Sequence, residues 1–147
     1  DINKMTVQRY AENEPGNLIL SSYVGKAKEQ GVAMKINVTA TDFSRFHITD
    51  LCSLLANALE NAIKAAAQSE DAALRYATMR LYEKSNRLCL ELRNGYINEP
   101  VFEDNIPVSQ RNGHGIGVKS IIQVVDKYDG VYGFSARGGE FCFQMSM

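Results

Sequence analysis

One amphipathic helix in the first half of the chain constrains the fold more than any other feature. Residues 50 to 68 read DLCSLLANALENAIKAAAQ, and a helical period of 3.6 residues separates their side chains into an apolar face and a polar arc. The apolar face consists of Leu51, Leu54, Leu55, Ala58, Leu59, Ala62 and Ile63. The polar arc consists of Asp50, Ser53, Asn57, Glu60, Asn61, Lys64 and Gln68. We therefore expect this helix to bury one face in the core and to expose the other.

Alternating apolar residues predict the strands that pack against this helix. An early strand is predicted at VAMKINVTA, a hairpin at LRYATMRLYEKSNRLCLELRNG with its turn at KSN, and a last hairpin at GVYGFSARGGEFCFQMSM with its turn at RGG. Further helices are predicted before Gly31, within residues 1 to 12, and from the glycines near residue 115 as far as Gly130. The expected fold is α+β, a two-layer sandwich with a mixed, mainly antiparallel sheet that helices cover on one face.

Composition narrows the class of protein. The 147 residues, 45% hydrophobic and 22% charged, suit one globular domain over residues 1–147. A net charge of -1 argues against a protein that grips nucleic acid or an anionic membrane surface, so any phosphate must be held locally. No segment has the roughly 18 apolar residues of a membrane span, and we expect a soluble chain. Cys52, Cys89 and Cys142 lack metal-ligand spacing and are expected to be small buried core residues.

A run of alternating glycines precedes the last predicted helix. Residues 112 to 120 read NGHGIGVKS, and the missing Cβ atoms of Gly113, Gly115 and Gly117 allow successive N–H groups to point into one concavity. Because a helix begins there, its positive dipole end favours phosphate oxygens. The spacing matches neither the GxxxxGK[ST] phosphate loop nor the GxGxxG dinucleotide fingerprint. A glycine-rich turn that merely starts a helix is the alternative interpretation.

Two asparagines on the polar arc of the amphipathic helix also require an explanation. Asparagine inside a helix competes with the backbone and is unfavourable relative to alanine. Asn57 and Asn61 lie four residues apart, so their amide oxygens project from adjacent turns and are suited to Mg²⁺. Lys64, one turn further on, is placed to meet a phosphate as a point charge. Alternatively, the asparagines hydrogen-bond neighbouring backbone or solvate the face.

These motifs, in this order, resemble the GHKL family of ATP-binding domains. The segment LLANALENAIKAA is similar to the asparagine motif of the family, GHGIGVKS is similar to its second glycine motif, and KYDGVYGFSARGGEFCFQMSM is similar to its closing strands. The chain most resembles the catalytic domain of sensor histidine kinases, in the branch of the peptide-pheromone quorum sensors. NLILSSYVGKAKEQGVAMKINV also resembles the helix and strand that precede the asparagine motif in that branch.

The resemblance implies a set of nucleotide-binding residues. It makes Asn61 the expected Mg²⁺ ligand, Asn57 a second metal or phosphate contact, and Lys64 a phosphate contact. It places the segment Gly113, His114, Gly115, Ile116 and Gly117 beside the phosphates of ATP, at the edge of a lid over the nucleotide. The lid would span residues 95 to 112, a stretch that contains Pro100 and Pro107 and is predicted to be a loop.

One position departs from the family pattern. The first glycine motif of the family, DxGxG, begins with an aspartate that accepts a hydrogen bond from the adenine amino group, and the matching strand end here reads LRNGYINEP. Asn94 is the expected replacement, since its amide oxygen can accept the same bond while its NH₂ group donates to a ring nitrogen. The alternative is that Asn94 is a turn residue that opens the lid, as an Asn-Gly dipeptide favours.

The implied function is a two-component sensor histidine kinase that transfers the γ-phosphoryl group of ATP to a histidine. By the same resemblance, members of the superfamily that hydrolyse ATP carry a glutamate at the position of Asn57, where it activates water as a general base. Asparagine cannot act as that base, which favours a kinase over an ATPase. We interpret Glu60 as a solvated or lid-contacting residue. Neither His47 nor His114 has the setting of a phosphoacceptor.

The acceptor histidine is expected on an upstream dimerisation helix, of the same chain or of its dimer partner. A response regulator would then receive the phosphoryl group. The chain would be the cytoplasmic domain of a membrane-anchored homodimer, with ATP and Mg²⁺ as cofactors and no nucleic-acid partner. The alternative function is a non-catalytic nucleotide-binding or interaction module with the GHKL fold, because DxGxG is altered.

Overall fold

The computed structural model describes residues 14–108 and 116–147 of the chain. The helix predicted within residues 1 to 12 lies outside these ranges, as do Gly113, His114 and Gly115. The helices are α1 (Glu14–Glu29), α2 (Ile48–Ala67) and α3 (Ile116–Lys127), with a short 3₁₀ turn at Ala72–Leu74. The strands are β1 (Ala33–Val38), β2 (Tyr76–Lys84), β3 (Arg87–Gly95), β4 (Val101–Glu103), β5 (Ile106–Val108), β6 (Val131–Arg137) and β7 (Glu140–Ser146).

Five of the strands form one twisted layer in the order β1-β2-β3-β7-β6. β1 and β2 are parallel, whereas the pairs β2-β3, β3-β7 and β6-β7 are antiparallel. α2 connects the two parallel strands, because parallel neighbours need a crossover rather than a tight turn. The mixed, mainly antiparallel sheet is therefore confirmed.

The helices pack on one face of this sheet. α1 contacts β1, α2 contacts β2 and β3, and α3 contacts β6. Every residue of the predicted apolar face of α2 is at most 5% exposed, and Ala66 extends that face by a turn. The inward side chains predicted for the central hairpin are likewise buried: Ala77, Met79, Leu81, Leu88, Leu90 and Leu92. The α+β two-layer fold is confirmed.

The three thiols are free and lie in different surroundings. Cys89 and Cys142 are buried, as predicted, whereas Cys52 is only half-buried. Burial raises the pKa of the Cys142 thiol. Within residues 14–108 and 116–147, none of the helices combines the length and the hydrophobicity needed to cross a bilayer.

The two helix ends that were assigned to glycines differ. Gly31 has φ 72° after α1, the left-handed conformation expected of a helix-terminating glycine. The last helix was predicted to extend as far as Gly130; α3 ends at Lys127, and the left-handed residue after it is Asp129, with φ 54°. Gly130 instead donates its N–H to the Val125 carbonyl at 2.9 Å. A Cβ on Gly130 would lie 2.7 Å from the Cβ of Met147, so glycine is required there for close packing.

The segment predicted to be a loop from residue 95 contains a hairpin, and that prediction was wrong over β4 and β5. Asp104 and Asn105 have φ 52° and 65° and form the two-residue turn between the strands. Pro107 pairs with Phe102 in this small ladder, where an edge strand tolerates the missing N–H donor. The Asp-Asn dipeptide was the sequence signal for this turn.

Polar contacts join the start of α2 to the end of α3. The Asp50 carboxylate accepts hydrogen bonds from the Tyr128 hydroxyl at 2.5 Å and from Lys127 Nζ at 2.9 Å. Both contacts lower the pKa of Asp50, the Tyr128 hydrogen bond most. The Tyr128 oxygen also accepts the backbone N–H of His47 at 2.9 Å, and its ring meets Phe46 edge-on at 5.0 Å. These contacts fix how α3 lies against α2.

We expect Leu55→Ala to lower the free energy of unfolding by about 2 to 5 kcal/mol, because Leu55 lies on the buried face of α2 and its truncation leaves a cavity. Chemical denaturation measures this change. Leu18→Ala on α1 is the matched control, since Leu18 is 53% exposed. Equal losses in the two variants would contradict the assigned core face.

We expect Asp50→Asn to lower the melting temperature at neutral pH. The folded-state pKa of Asp50 is depressed, so its stabilising contribution is present above the unfolded pKa of about 4 and disappears as pH falls through the folded value. Melting curves of wild type and variant should therefore converge in acid. Asp126→Asn, which removes an exposed carboxylate of α3, is the control and should shift the melting temperature less. A constant difference down to low pH would show that the Asp50 charge is not responsible.

Candidate functional site

A cavity of about 500 Å³ lies between α2, α3, the inward face of the sheet and the β4–β5 hairpin. Its floor and one wall are apolar, because strands β3, β6 and β7 turn inward side chains toward it. These side chains are Leu92, Phe134, Phe141 and Phe143. The polar groups that reach the cavity from α2 are Asn61, Lys64 and Gln68. A cavity with an apolar body and a few converging polar groups is typical of a small-molecule site.

Asn94 lies at the sheet side of this cavity. It is part of β3, opposite Ala77 on one neighbour and Phe141 on the other, and it is only 2% exposed. The interpretation of Asn94 as a lid-opening turn residue was therefore wrong. Its Nδ2 donates to the Gly95 carbonyl at 2.9 Å, and the side chain lines the cavity.

Gly95 is a glycine because of a contact and not because of a turn. A Cβ at this position would lie 2.0 Å from the carbonyl oxygen of Leu74. Leu74 is the last residue of the 3₁₀ turn, which packs against the end of β3. No side chain fits in that space. The Asn-Gly dipeptide therefore ends a buried strand, and Asn94 is held directly beside the cavity.

The polar arc of α2 presents its two asparagines differently. Asn57 is half-buried, and its Nδ2 donates to the Ser53 carbonyl at 2.8 Å and contacts Ser53 Oγ at 3.3 Å. The alternative that an asparagine bonds neighbouring backbone is thus correct for Asn57. Because a carbonyl can only accept, this bond identifies the amide nitrogen and leaves Oδ1 on the other side of the group. Asn61 is exposed and lines the cavity, and Lys64 lines it one turn later.

The first turn of α3 meets these asparagines. A Cβ on Gly117 would lie 3.2 Å from Asn57 Oδ1, 3.6 Å from Asn61 Nδ2 and 3.7 Å from Asn61 Oδ1. The first turn of α3 therefore lies next to the side-chain amides of Asn61 and Asn57, which are 56 and 60 positions away from Gly117 in the sequence. Ile116 begins α3, while Gly113, His114 and Gly115 lie outside the described residues. The structure thus brings the asparagine motif and the described end of the glycine motif together.

The β4–β5 hairpin forms the outer wall of the cavity. Val101, Pro107 and Val108 line it, and the Phe102 ring stacks on Phe141 with centroids 6.3 Å apart. At the mouth, Asn98 Nδ2 donates to Gln68 Oε1 of α2 at 2.9 Å. The hairpin therefore packs on the sheet through Phe102, and the segment that leads into it is hydrogen-bonded to α2 through Asn98.

Several lining residues escaped the sequence analysis, notably Tyr96, Asn98, Glu99 and the three inward phenylalanines. The alternation of Phe134, Phe141 and Phe143 predicted one face of two strands, but their position beside Asn94 depends on strand order. The Tyr96 hydroxyl donates to Glu99 Oε1 at 3.2 Å, and burial, followed by this carboxylate, raises the pKa of Tyr96. Only the register brings these residues to the cavity.

Glu60 serves a different contact. Its Oε2 accepts the Tyr23 hydroxyl at 3.1 Å, which joins α2 to α1. Desolvation, followed by this hydrogen bond, raises the pKa of Tyr23. Glu60 is exposed, which agrees with its interpretation as a solvated residue, and it does not line the cavity.

Comparisons with known proteins agree with this architecture. A family model described as the GHKL domain matches residues 46–147, whereas a search of curated proteins found no match. The catalytic domain of histidine kinase ThkA, in a nucleotide-free form, superposes with a TM-score of 0.68 at 14% identity, over 97% of each chain.

Two further histidine kinases give similar superpositions. A mycobacterial sensor histidine kinase, MprB, has a TM-score of 0.64 at 18% identity, over 88% of this chain and 91% of that one. Acinetobacter baumannii histidine kinase AdeS has a TM-score of 0.65 at 10% identity, over 99% of this chain and 71% of that one. The family match covers most of the chain, and at these identities the structural matches establish the fold. The chain therefore belongs to the GHKL domain family, and its fold is the one found in the catalytic domains of histidine kinases.

Proposed function

We propose that this chain is the Mg²⁺-ATP-binding catalytic domain of a two-component sensor histidine kinase. The observation that carries the proposal is the small space at Gly117, where an added Cβ would lie 3.2 to 3.7 Å from the amides of Asn57 and Asn61. This space lies next to a cavity that Asn61, Lys64 and Asn94 line. Four residues chosen from sequence as nucleotide contacts, Asn61, Lys64, Asn94 and Gly117, thereby surround or adjoin one space. The peptide-pheromone branch is proposed on the sequence resemblance.

The polar side chains of α2 suit the metal and the phosphates of Mg²⁺-ATP. The hydrogen bond from Asn57 Nδ2 to Ser53 leaves its Oδ1 toward Gly117, so Asn57 is assigned as an oxygen donor to the metal and not as a donor to phosphate. Asn61 would be the second oxygen donor, and Lys64 would contact a phosphate oxygen. Bound Mg²⁺ would neutralise charge on the phosphates. The small space at Gly117 lets the α3 backbone approach the same region.

The part of the cavity that the sheet lines suits the adenine base of ATP. The hydrogen bond to the Gly95 carbonyl identifies the Nδ2 atom of Asn94, so its Oδ1 is the atom assigned to accept from an exocyclic amino group. Adenine carries that amino group at position 6, where guanine has a carbonyl oxygen. If guanine bound in the same position, its carbonyl oxygen would face the Asn94 Oδ1, and neither atom could donate a hydrogen bond. We therefore propose selectivity for ATP over GTP. Leu92 and Phe141 provide apolar surface for the ring beside Asn94.

The residues of this site position a phosphoryl group and do not supply a nucleophile. Asn57 has no carboxylate, so it cannot activate water as a general base. Phosphoryl transfer depends mainly on alignment and charge neutralisation, which Lys64, the amide oxygens and the α3 amino terminus can supply. The proposed acceptor is a histidine on an upstream dimerisation helix, followed by a response regulator, in a membrane-anchored homodimer whose kinase domain is cytoplasmic.

A different observation supports the alternative of a non-catalytic interaction module. Counting from Asn94, the two glycine positions of DxGxG are occupied by Tyr96 and Asn98. Tyr96 is buried, and Asn98 is bonded to Gln68. Both side chains line the cavity at positions where the family pattern has glycine, and a chain that retained the fold without binding nucleotide would tolerate them.

We expect calorimetric titration to show ATP binding that requires Mg²⁺, with much weaker binding of GTP. Asn61→Ala should abolish the Mg²⁺-dependent part with little change in melting temperature, because its side chain is exposed on α2. Asn37→Ala on β1, an exposed asparagine that does not line the cavity, is the matched control. Absence of binding at millimolar ATP would favour the interaction module. Unfolding of Asn61→Ala would show that Asn61 is structural.

We expect a longer chain that includes the upstream dimerisation helix to form acid-labile, alkali-stable phosphohistidine from γ-labelled ATP. Asn61→Ala in the same chain should lose the label, whereas Asn37→Ala should keep it. Substitution of the acceptor histidine should also remove the label without affecting ATP binding. Binding of ATP without any phosphohistidine would contradict the kinase assignment while leaving the nucleotide site intact.

A further inference from the structure

The outward face of the five-stranded sheet, opposite the helices and the cavity, is basic. Side chains that alternate with the buried rows point outward, and within the five strands they include two acidic residues, Glu91 and Glu140. The outward basic residues are Lys35, Arg80, Lys84, Arg87, Arg93 and Arg137. This face therefore carries a net charge of about +4 at neutral pH, although the whole chain has a net charge of -1.

The two outward carboxylates are already paired. Arg93 binds Glu91 at 3.1 Å and Glu140 at 2.8 Å. Glu91 also accepts from Gln144 at 3.3 Å, and Glu140 accepts the Tyr76 hydroxyl. These contacts lower the pKa of both carboxyl groups, so they are ionised at neutral pH. Arg93 is consequently neutralised by its partners, and the unbalanced positive charge lies elsewhere on the face.

That unbalanced charge is concentrated on β1, β2 and β3. We call this surface the basic face; it consists of Tyr82 and the four cationic residues Lys35, Arg80, Lys84 and Arg87. Among the described residues, none of these four cations has a carboxylate within salt-bridge distance. Glu83, the neighbouring acid on β2, points to the other side of the sheet, where it accepts the Thr41 N–H at 2.6 Å.

Two arginines of the basic face are held in place. The Arg80 guanidinium lies 4.7 Å from the centre of the Tyr82 ring. Arg87 donates from Nε to Ser146 Oγ at 2.8 Å and from Nη2 to the Ser146 carbonyl at 3.0 Å. A guanidinium that is already ordered loses less entropy when it binds. Arg80 can present its planar fork to a carboxylate, whereas Arg87 can present Nη1, because its Nε and Nη2 already donate to Ser146. The basic face is thus preorganised for acidic side chains.

We propose that the basic face docks an acidic segment of a partner protein. Charge complementarity selects such a segment, and the arginine and tyrosine composition is typical of protein interfaces. A second copy of the same face is disfavoured because like charges would meet. A lipid bilayer fits less well, since among the described residues Val131 is the only large hydrophobic side chain of this face that is strongly exposed, and it lies on β6 opposite Ser146, at the edge of the basic face. The partner would bind on the side of the sheet opposite the cavity.

The test uses a ten-residue polyglutamate peptide as the probe and backbone amide chemical shifts of the chain as the readout. Shifts are expected in β1, β2 and β3, to weaken with added salt, and to be unaffected by ATP. The double variant Arg80→Gln/Lys84→Gln should bind about ten-fold more weakly at low salt, as expected from two exposed ion pairs. Lys26→Gln/Lys28→Gln removes two exposed charges from the last turn of α1 and is the matched control.

Three results would overturn the proposal. Equal weakening in both double variants would show nonspecific attraction to any lysine pair. Shifts confined to the helices would place the peptide on another surface. Tighter binding to phosphatidylglycerol vesicles than to the peptide, lost in Arg80→Gln/Lys84→Gln, would assign the basic face to a membrane. Because none of these readouts requires nucleotide, they are independent of whether the chain is a kinase.

Discussion

Burial of the apolar face of α2 against β2 and β3 is the interaction on which the rest of the structure depends. Leu54 and Leu59 are fully buried there, and complete burial of a leucine side chain is worth about 1.5 to 3 kcal/mol. Once this face is fixed, the polar arc on the other side of α2 has a fixed direction. α3 then packs beside that arc, held by Asp50 through Lys127 and Tyr128. The candidate site is therefore a consequence of how the core helix docks.

Close backbone approach shapes the site as much as side-chain chemistry does. Gly95 admits the Leu74 carbonyl, Gly117 admits the two asparagine amides, and Gly130 admits the final residues of the chain. At none of these three positions is φ in the left-handed region, so the reason for glycine is space and not conformation. Each one brings a backbone segment to within contact distance of an element remote in sequence. Substitution at Gly95 or Gly130 should therefore displace the backbone, whereas at Gly117 a shift of the asparagine side chains would accommodate a Cβ.

The two faces of the sheet are suited to different partners. The inward face has apolar strands and the polar groups of α2, which together enclose a small concave site. The outward face has ordered arginines and paired carboxylates on a broad surface. Because successive side chains of a strand point to opposite faces, a single hairpin, β2–β3, contributes to both surfaces. The proposed nucleotide binding and the proposed partner docking can therefore be separated by mutation.

Local patterns in the sequence determined the three described helices, the five strands of the main sheet and the identity of the α+β sandwich, because periods of 3.6 and 2 residues are local properties. They missed the β4–β5 hairpin. They also predicted Asn57, Asn61, Lys64, Asn94 and Gly117 as one site, through resemblance to a family. Tertiary structure decided the rest. Only strand order and register bring Phe141 beside Asn94, only the packing of α3 on α2 brings Gly117 to Asn57, and only a hydrogen bond to Ser53 orients the Asn57 amide. These contacts either join residues that are far apart in the sequence or determine how one side-chain amide is oriented. A local hydrophobic period contains neither kind of information.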